Sequence, residues 1–208
     1  AARPAADRAQ ALVTPGDEAL DRRAVVRALL AGRDDLVVVT GLGSPSYDVM
    51  AAGDHDLNYY LWGAMGSAAT VGLGLAMAQP KRPVLVITGD GEQLMGLGAL
   101  ATIGVQRPSN LTIAVLDNER YGETGMQRSH TASGVRIDGV AAACGFAWAA
   151  EIADAAGVEE VHRRLTAGEG PGLAAFKVAR SDLPRVLPPI DAVQLKHRLR
   201  MALGIAPR

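Results

Sequence analysis

The chain has 208 residues, 49% of them hydrophobic, so it can bury a globular core, and wholesale disorder is excluded. Its 21 basic and 22 acidic side chains leave a net charge of −1, which argues against nucleic acid as a partner. The single cysteine, Cys144, fits a reducing, cytoplasmic compartment, and neither a membrane span nor a secretory signal is expected from the apolar pattern.

Predicted strands and helices alternate along the chain. After an Ala-, Arg- and Pro-rich segment, an amphipathic helix is predicted to start near Asp17, to include Leu20, and to end at Gly32. The predicted strands are short apolar or β-branched runs at residues 36–40, 59–62, 84–88, 111–116, 146–150 and 173–178. The later helices are predicted at residues 66–79, 92–105, 137–144, 158–167 and 191–203. This alternation predicts an α/β fold: a doubly wound parallel sheet with helices on both faces.

The same pattern divides the chain into three parts. Residues 1–16 are predicted to be an N-terminal tail, residues 17–182 the main domain, and residues 183–208 a Pro-rich connector with a C-terminal helix. Within the domain, the polar segment 118–135 has no clear period. A loop of that length in a compact domain is usually functional, so we expect it near a binding site.

Two predicted strands end in polar residues. The sequence Gly89-Asp90-Gly91 follows strand 84–88, and Asn118 lies 28 positions after Asp90, beyond the next strand. We expect both side chains at the carboxyl edge of the sheet, where ligands bind in such folds. Carboxylate and amide oxygens suit Mg²⁺, and a helix that begins at Gly91 offers N–H groups to a phosphate. Taken alone, the tripeptide is also accounted for by a turn with an Asp helix cap.

The motif Gly-Asp-Gly, 26 further residues and Asn resembles the thiamine diphosphate (ThDP) binding motif. The surrounding segments agree with it: GSPS at residues 43–46, YLWGAMGS at 60–67, YGETGMQ at 121–127, and the pattern at 196–204. Together they resemble the cofactor-binding (PP) domain of the phosphonopyruvate and sulfopyruvate decarboxylase family. The likeness is to the β subunit of two-subunit members and covers roughly residues 21–204.

This resemblance implies a magnesium site and a diphosphate site. The side chains of Asp90 and Asn118 and the backbone carbonyl of Arg120 would bind Mg²⁺. The backbone N–H groups of Gly91 and Glu92 would bind the diphosphate. Because an acid repels a diphosphate, the side chain of Glu92 is expected to turn away from it.

The resemblance also implies a site for the rest of the cofactor. The carbonyl of Gly63 would accept a hydrogen bond from the aminopyrimidine, and Met65 would be the apolar prop that bends the cofactor. The full expected set of cofactor-binding residues is Gly63, Ala64, Met65, Gly89, Asp90, Gly91, Glu92, Asn118, Arg120, Tyr121 and Gly122.

Segment 118–135 follows a metal ligand, so it is expected to lie over the cofactor and to contribute to substrate binding. The candidate substrate-binding residues, all polar, are Thr124, Gln127, Arg128 and His130. Of these, Arg128 and His130 are candidates for an acidic substrate group, with a solvated loop as the alternative. The candidates for a local acid or base are Glu123, His130 and His55, with a surface role as the alternative for His55.

The family's activating glutamate lies on a separate pyrimidine-binding domain, for which this chain is expected to have no room. No firm catalytic residue is therefore expected here. A partner α-type subunit is predicted to supply that residue, in an α2β2 or related even assembly.

The implied activity is ThDP- and Mg²⁺-dependent decarboxylation of a 2-oxo acid of the 3-substituted pyruvate type, through a C2-carbanion/enamine intermediate. Three alternatives stay open. An acyloin-forming carboligase would share the first half-reaction and pass the intermediate to an aldehyde. A non-catalytic scaffold subunit would keep the fold only. A nucleotide-binding oxidoreductase would use the turn at residues 41–46, which lacks the third glycine of a dinucleotide fingerprint.

Overall fold

The computed structural model describes residue 12 and residues 19–205. The strands in this part of the chain are β1 (Val37–Thr40), β2 (Asn58–Tyr60), β3 (Val84–Gly89), β4 (Leu111–Asp117), β5 (Arg120–Tyr121), β6 (Gln127–Arg128), β7 (Trp148–Ile152) and β8 (Gly172–Lys177). The helices are α1 (Arg22–Leu29), α2 (Ser44–Ala52), α3 (Ala68–Ala78), α4 (Asp90–Met95), α5 (Ala99–Gln106), α6 (Ile137–Ala143), α7 (Ala155–Ala167) and α8 (Ala192–Ala202).

Six of these strands form one parallel sheet in the order β2-β1-β3-β4-β8-β7, which confirms the predicted doubly wound α/β fold. The chain runs from β1 outward to β2 and then returns to β3 on the other side of β1. The carboxyl ends of β1 and β3 therefore flank the topological switch point, the usual ligand site of an open α/β sheet.

Helices cover both faces of the sheet, which is why its central strands read as unbroken apolar runs. One core contains residues of α1, α2 and α7 together with alternate residues of the strands. The other core contains residues of α3, α5 and α6 with the remaining strand residues. Helix α8 contributes Leu195 to the first core and Leu199 to the second, so it packs on the same body.

The first helix differs from its prediction. It starts at Arg22, where the Asp21 side chain caps it by accepting a hydrogen bond from the Ala24 N–H at 2.7 Å. Leu20 lies outside the helix and forms a parallel bridge with Val178, so its predicted helical position is wrong. The predicted start near Asp17 and the predicted tail lie outside the described residues, apart from residue 12, a buried leucine.

The predicted helix 92–105 is two helices, α4 and α5, because the chain bends at residues 96–98. Gly96 packs directly on the backbone of Gly66, and a Cβ atom at Gly96 would lie 2.0 Å from the Gly66 carbonyl oxygen. This contact anchors the loop before α3 to the end of α4. The remaining boundaries differ from their predictions by a few residues, as strand β7 does by two.

Candidate functional site

A pocket opens at the carboxyl ends of β1, β3 and β4, as expected at the switch point. Most of the residues singled out from the sequence line it: Met65, Gly89, Asp90, Gly91, Glu92, Asn118, Arg120, Tyr121, Gly122, Glu123 and Thr124. The structure therefore brings together residues from three separate segments of the chain.

The register of the two central strands sets Asp90 beside the end of β4. Gly89 pairs with Leu116, so Asp90 follows at the level of Asp117, with Asn118 one residue further. Asp90 is only 2% exposed, yet it lines the pocket. The sequence spacing thus does bring both polar strand ends to one edge.

Two hydroxyl side chains hold the Asp90 carboxylate. Thr131 Oγ1 lies 3.2 Å from Asp90 Oδ2 and 2.8 Å from Asp117 Oδ1, and Ser129 Oγ lies 2.8 Å from Thr131 Oγ1. Burial raises the pKa of Asp90 to about 6, and the nearby charge of Asp117 adds to the rise, while hydrogen bonds from Ser129 and Thr131 oppose it. A cation in the pocket would relieve the repulsion between these two carboxylates.

The end of β4 is fixed by polar contacts on its other side. Lys177 Nζ lies 3.0 Å from Asp117 Oδ2, and the Asn118 side-chain oxygen accepts a hydrogen bond from the Arg120 N–H at 3.0 Å. The Arg120 guanidinium donates back to the Glu119 carbonyl at 2.9 Å. These contacts set the orientation of the Asn118 amide and keep the Arg120 side chain on its own turn.

The Glu92 carboxylate lies between two loops. It accepts hydrogen bonds from the Leu42 N–H at 2.9 Å, the Thr88 hydroxyl at 3.0 Å and the Gly66 N–H at 3.4 Å. Burial raises its pKa, and these hydrogen bonds oppose the rise. A Cβ atom at Gly41 would lie 1.7 Å from this carboxylate, so the glycine gives Glu92 the room to reach both loops.

The segment that carries Met65 is open to solvent. Gly63 and Ala64 are exposed, and Met65, which lines the pocket, is 37% exposed. Ala64 has a positive φ of 51°, a backbone conformation that residues other than glycine rarely adopt. This backbone conformation accompanies an apolar side chain left uncovered at the mouth of the pocket.

The two glycines around Asp90 differ in what they make room for. A Cβ atom at Gly89 would meet nothing within 4 Å, so this position leaves open space in the pocket. A Cβ atom at Gly91 would lie 2.3 Å from the Tyr121 ring. Gly89 therefore leaves room for a ligand, whereas Gly91 makes room for an aromatic ring of the protein.

Segment 118–135 is folded rather than irregular, because β5 and β6 pair as a short antiparallel hairpin. Only some of the candidate residues within it line the pocket. Glu123 and Thr124 line the pocket, whereas Gln127, Arg128 and His130 are exposed and are not among the residues that line it.

The polar groups of that hairpin bond largely to one another. Thr124 Oγ1 donates to Gln127 Oε1 at 2.9 Å, and Arg128 donates to the Ala132 carbonyl at 2.5 Å. The expected acid-binding role of Arg128 and His130 therefore has no support in their placement. The contribution of this segment to the site is instead the pair of buried hydroxyls, Ser129 and Thr131, which contact each other and Asp90.

His55 lies away from the pocket. It precedes β2, at the amino edge of the parallel sheet, and its Nδ1 accepts a hydrogen bond from the Leu57 N–H at 3.1 Å. Burial lowers its pKa, and the charge of Arg33 lowers it further. His55 is exposed and does not line the pocket, so its placement agrees with the alternative of a surface role.

Arg22 lines the pocket and was not anticipated as a site residue. It is the first residue of α1 and is 6% exposed. The helical period of α1 identifies apolar positions and carries no signal for a charged residue at its start. Only the tertiary packing of α1, which lies against α2 and α7, reveals this placement.

Within residues 19–205, no group of three His, Cys, Asp or Glu side chains is arranged to hold a metal ion. The pocket is lined by a carboxylate, Asp90, and an amide, Asn118, whose oxygens are of the kind that suits a cation that keeps water or phosphate ligands. No helix in the described part of the chain is long and apolar enough to cross a membrane.

Comparison with known proteins shows the family of the chain. Residues 43–180 match the family described as thiamine pyrophosphate enzyme, C-terminal TPP binding domain. Phosphonopyruvate decarboxylase of Streptomyces viridochromogenes is 37% identical over 174 residues, which cover 83% of this chain and 43% of that protein. Sulfopyruvate decarboxylase subunit beta of Methanocaldococcus jannaschii is 40% identical over 110 residues, 53% of this chain and 58% of that protein.

A solved structure supports the fold. The thiamine diphosphate-dependent 4-hydroxybenzoylformate decarboxylase of Rhodococcus jostii RHA1 matches with a TM-score of 0.68 at 19% identity, over 82% of this chain and 35% of that one. This chain thus spans less than two thirds of the length of each of these three proteins. Because the family match extends over more than half of its residues, the chain belongs to the thiamine pyrophosphate enzyme family and contains its C-terminal TPP-binding domain.

Proposed function

We propose that this chain is the β-type, cofactor-binding subunit of a ThDP- and Mg²⁺-dependent enzyme that decarboxylates a 2-oxo acid of the 3-substituted pyruvate type. The observation that carries the proposal is the convergence of Asp90 and Asn118 at adjacent strand ends in one pocket. The names of the two curated relatives, a phosphonopyruvate and a sulfopyruvate decarboxylase, support the substrate class.

The residues present fit the proposed metal and cofactor. The Asp90 carboxylate, the Asn118 amide oxygen and the Arg120 carbonyl would hold Mg²⁺, and the diphosphate would complete its shell. Gly89 leaves open space beside them, and the first turn of α4 has backbone N–H groups without helical partners. Glu92 is directed to Leu42, Thr88 and Gly66, and this arrangement supports the expectation that it does not oppose the phosphates.

When bound, the cofactor would supply a carbon nucleophile and an electron sink for loss of CO₂. The chain's own residues would position it. Asp90 and Asn118 would bind one end through the metal. Met65, at the pocket mouth, would contact the middle of the cofactor and exclude water from it, and the Gly63 carbonyl would orient the pyrimidine.

We further propose that a separate α-type subunit with a pyrimidine-binding domain completes the site, in an α2β2 assembly located in the cytoplasm. The exposed segment 63–65 supports this, because an apolar pocket wall open to water is a surface that a partner would cover. Relatives from Methanocaldococcus jannaschii, Methanothermobacter thermautotrophicus and Methanococcus maripaludis are also named as beta subunits.

The test has two stages. First, ThDP is titrated into the purified chain with and without Mg²⁺, and calorimetry is expected to detect binding that requires the metal. Second, CO₂ release from phosphonopyruvate and from sulfopyruvate is measured with the chain alone and with a candidate pyrimidine-domain subunit added. We expect turnover only with both chains. Absence of metal-dependent ThDP binding would contradict the cofactor assignment, and full turnover by the isolated chain would contradict the partner assignment.

A further inference from the structure

Two arginines share one buried carboxylate at the edge of the pocket. Asp48 is fully buried; its Oδ2 lies 2.7 Å from Arg22 Nε, and its Oδ1 lies 2.9 Å from Arg23 Nε. One carboxylate balances only one of the two guanidinium charges. This cluster, Arg22–Arg23–Asp48, therefore has a net charge of +1.

The two arginines differ in what else they contact. The Arg23 guanidinium also donates to the Pro184 carbonyl, and Arg23 does not line the pocket. Arg22 donates from Nη1 to the Ser181 carbonyl at 3.3 Å and lines the pocket beside Asn118. Of the two, Arg22 is therefore the one placed to present the extra charge to a ligand.

A second cavity of about 210 Å³ meets the pocket at this arginine. The two cavities share Arg22, Ser44, Asn118, Gly122 and Glu123. The carboxylates that line the two cavities are engaged elsewhere or exposed. Glu123 is ion-paired with Arg185 at 3.1 Å, Glu92 accepts hydrogen bonds from Leu42 and Thr88, and Asp182 is exposed. Asp90, the remaining carboxylate, would be balanced by the proposed Mg²⁺. A side chain 92% buried that still faces two connected cavities has few water molecules to solvate its charge, which favours an anionic ligand.

We propose that Arg22 binds an oxyanion in this pocket: a phosphate oxygen of the cofactor or the acid group of the substrate. Both sources present the same chemistry, a tetrahedral or planar oxyanion that a guanidinium recognises through paired N–H donors. The Arg22 site rests on the proposed function for the identity of its ligand, but the charge imbalance and the cavities exist without it.

The experiment compares R22Q with R23Q in the full chain. Each variant removes one of the two partners of Asp48, so the structural cost is matched, and thermal unfolding followed by circular dichroism checks that both fold. Two probes are titrated by calorimetry: inorganic pyrophosphate with Mg²⁺, and methylphosphonate. R22Q is expected to weaken binding of one probe by at least about ten-fold, while R23Q changes it by less than about two-fold.

The two probes separate the two sources. If R22Q loses affinity for pyrophosphate alone, Arg22 binds a phosphate oxygen of the cofactor. If it loses affinity for methylphosphonate alone, Arg22 binds the acid group of the substrate. The R22K variant keeps the charge and is expected to recover part of the lost affinity, and it remains informative if R22Q does not fold. The proposal is overturned if the wild type binds neither probe. It is also overturned if R22Q has the same affinity as R23Q for both probes; if R22Q does not fold, R22K takes its place in this comparison.

A parallel titration with ThDP and Mg²⁺ keeps this inference apart from the proposed function. Binding of ThDP by the wild type together with equal behaviour of R22Q and R23Q would remove the Arg22 assignment alone. Absence of ThDP binding would contradict the proposed function, and the pyrophosphate and methylphosphonate titrations would still decide whether Arg22 binds an oxyanion.

Discussion

The two walls of the pocket are built differently. At the ends of β3 and β4, Asp90 is 2% exposed and is held by the hydroxyl of Thr131. On the opposite side, segment 63–65 is exposed, and Met65 keeps 37% of its surface open. The first wall is organised by polar contacts within the chain, whereas the second presents an apolar side chain with no cover in the described residues.

This difference follows from the chemistry each wall would perform. A buried carboxylate beside another carboxylate is costly unless hydrogen bonds and a cation compensate for it. The wall that contains Asp90 therefore needs polar contacts within the chain to hold its carboxylates in place. An apolar wall needs only contact, which a second surface can provide. If this contrast is real, substitutions in the two walls have different effects on ThDP binding and on stability.

The largest effect is expected for D90A. Loss of the carboxylate removes a proposed metal ligand, so Mg²⁺-dependent ThDP affinity should fall by about 100-fold or more. Because Asp90 and Asp117 repel each other, the apo chain should unfold at an equal or higher temperature. Calorimetry and thermal unfolding measure both effects. The matched control is E159A at an exposed site; equal ThDP affinity in the two variants would contradict the metal assignment.

The second prediction concerns how the exposed wall is anchored. In G96A, the added methyl group would overlap the Gly66 carbonyl, so the free energy of unfolding should fall by about 2 kcal/mol. G98A is the control, because a Cβ atom at Gly98 would meet nothing within 4 Å. Urea unfolding of the two variants is compared. A loss in G98A equal to that in G96A would show that helix propensity, and not the Gly66 contact, sets the cost.

The third prediction tests the support of Asp90. T131V keeps the shape of the side chain and removes the hydroxyl that contacts both carboxylates, so Mg²⁺-dependent ThDP affinity should fall by about ten-fold. T131S restores the hydroxyl and should recover most of the affinity. T70V, at an exposed position of α3, controls for the substitution itself. Unchanged affinity in T131V would mean that Asp90 needs no such support.

The sequence was sufficient to predict the fold and the convergence of the polar strand ends. Both depend on local features: apolar runs of strand length and polar residues directly after them. The period of residues 92–105 did not reveal the break at Gly96, because the Gly66 contact that requires it is tertiary. The two glycines at 96 and 98 were the available signal for that break.

Two other features of the site could not be predicted from the sequence, because they also depend on tertiary contacts. Thr131 contacts a carboxylate 41 residues away, and no local pattern reports such a contact. Arg22 reaches the pocket only because α1 packs beside the ends of the central strands. Arg128 and His130 show the limit of charge as a signal. Their charge predicted a binding role, whereas neither lines the pocket, and Arg128 forms a hydrogen bond within its own loop.

The smallest effect is expected for M65A, and it tests the exposed wall directly. Because Met65 is partly exposed, its loss should change the free energy of unfolding by less than about 0.5 kcal/mol. The ThDP affinity of the isolated chain should fall by only a few-fold, since the proposed metal site at Asp90 would supply most of the binding. M77A, at another exposed methionine on α3, is the control and should change neither quantity. If M65A weakened ThDP binding as strongly as D90A, the two walls would contribute equally, and the pocket would be complete without a partner surface.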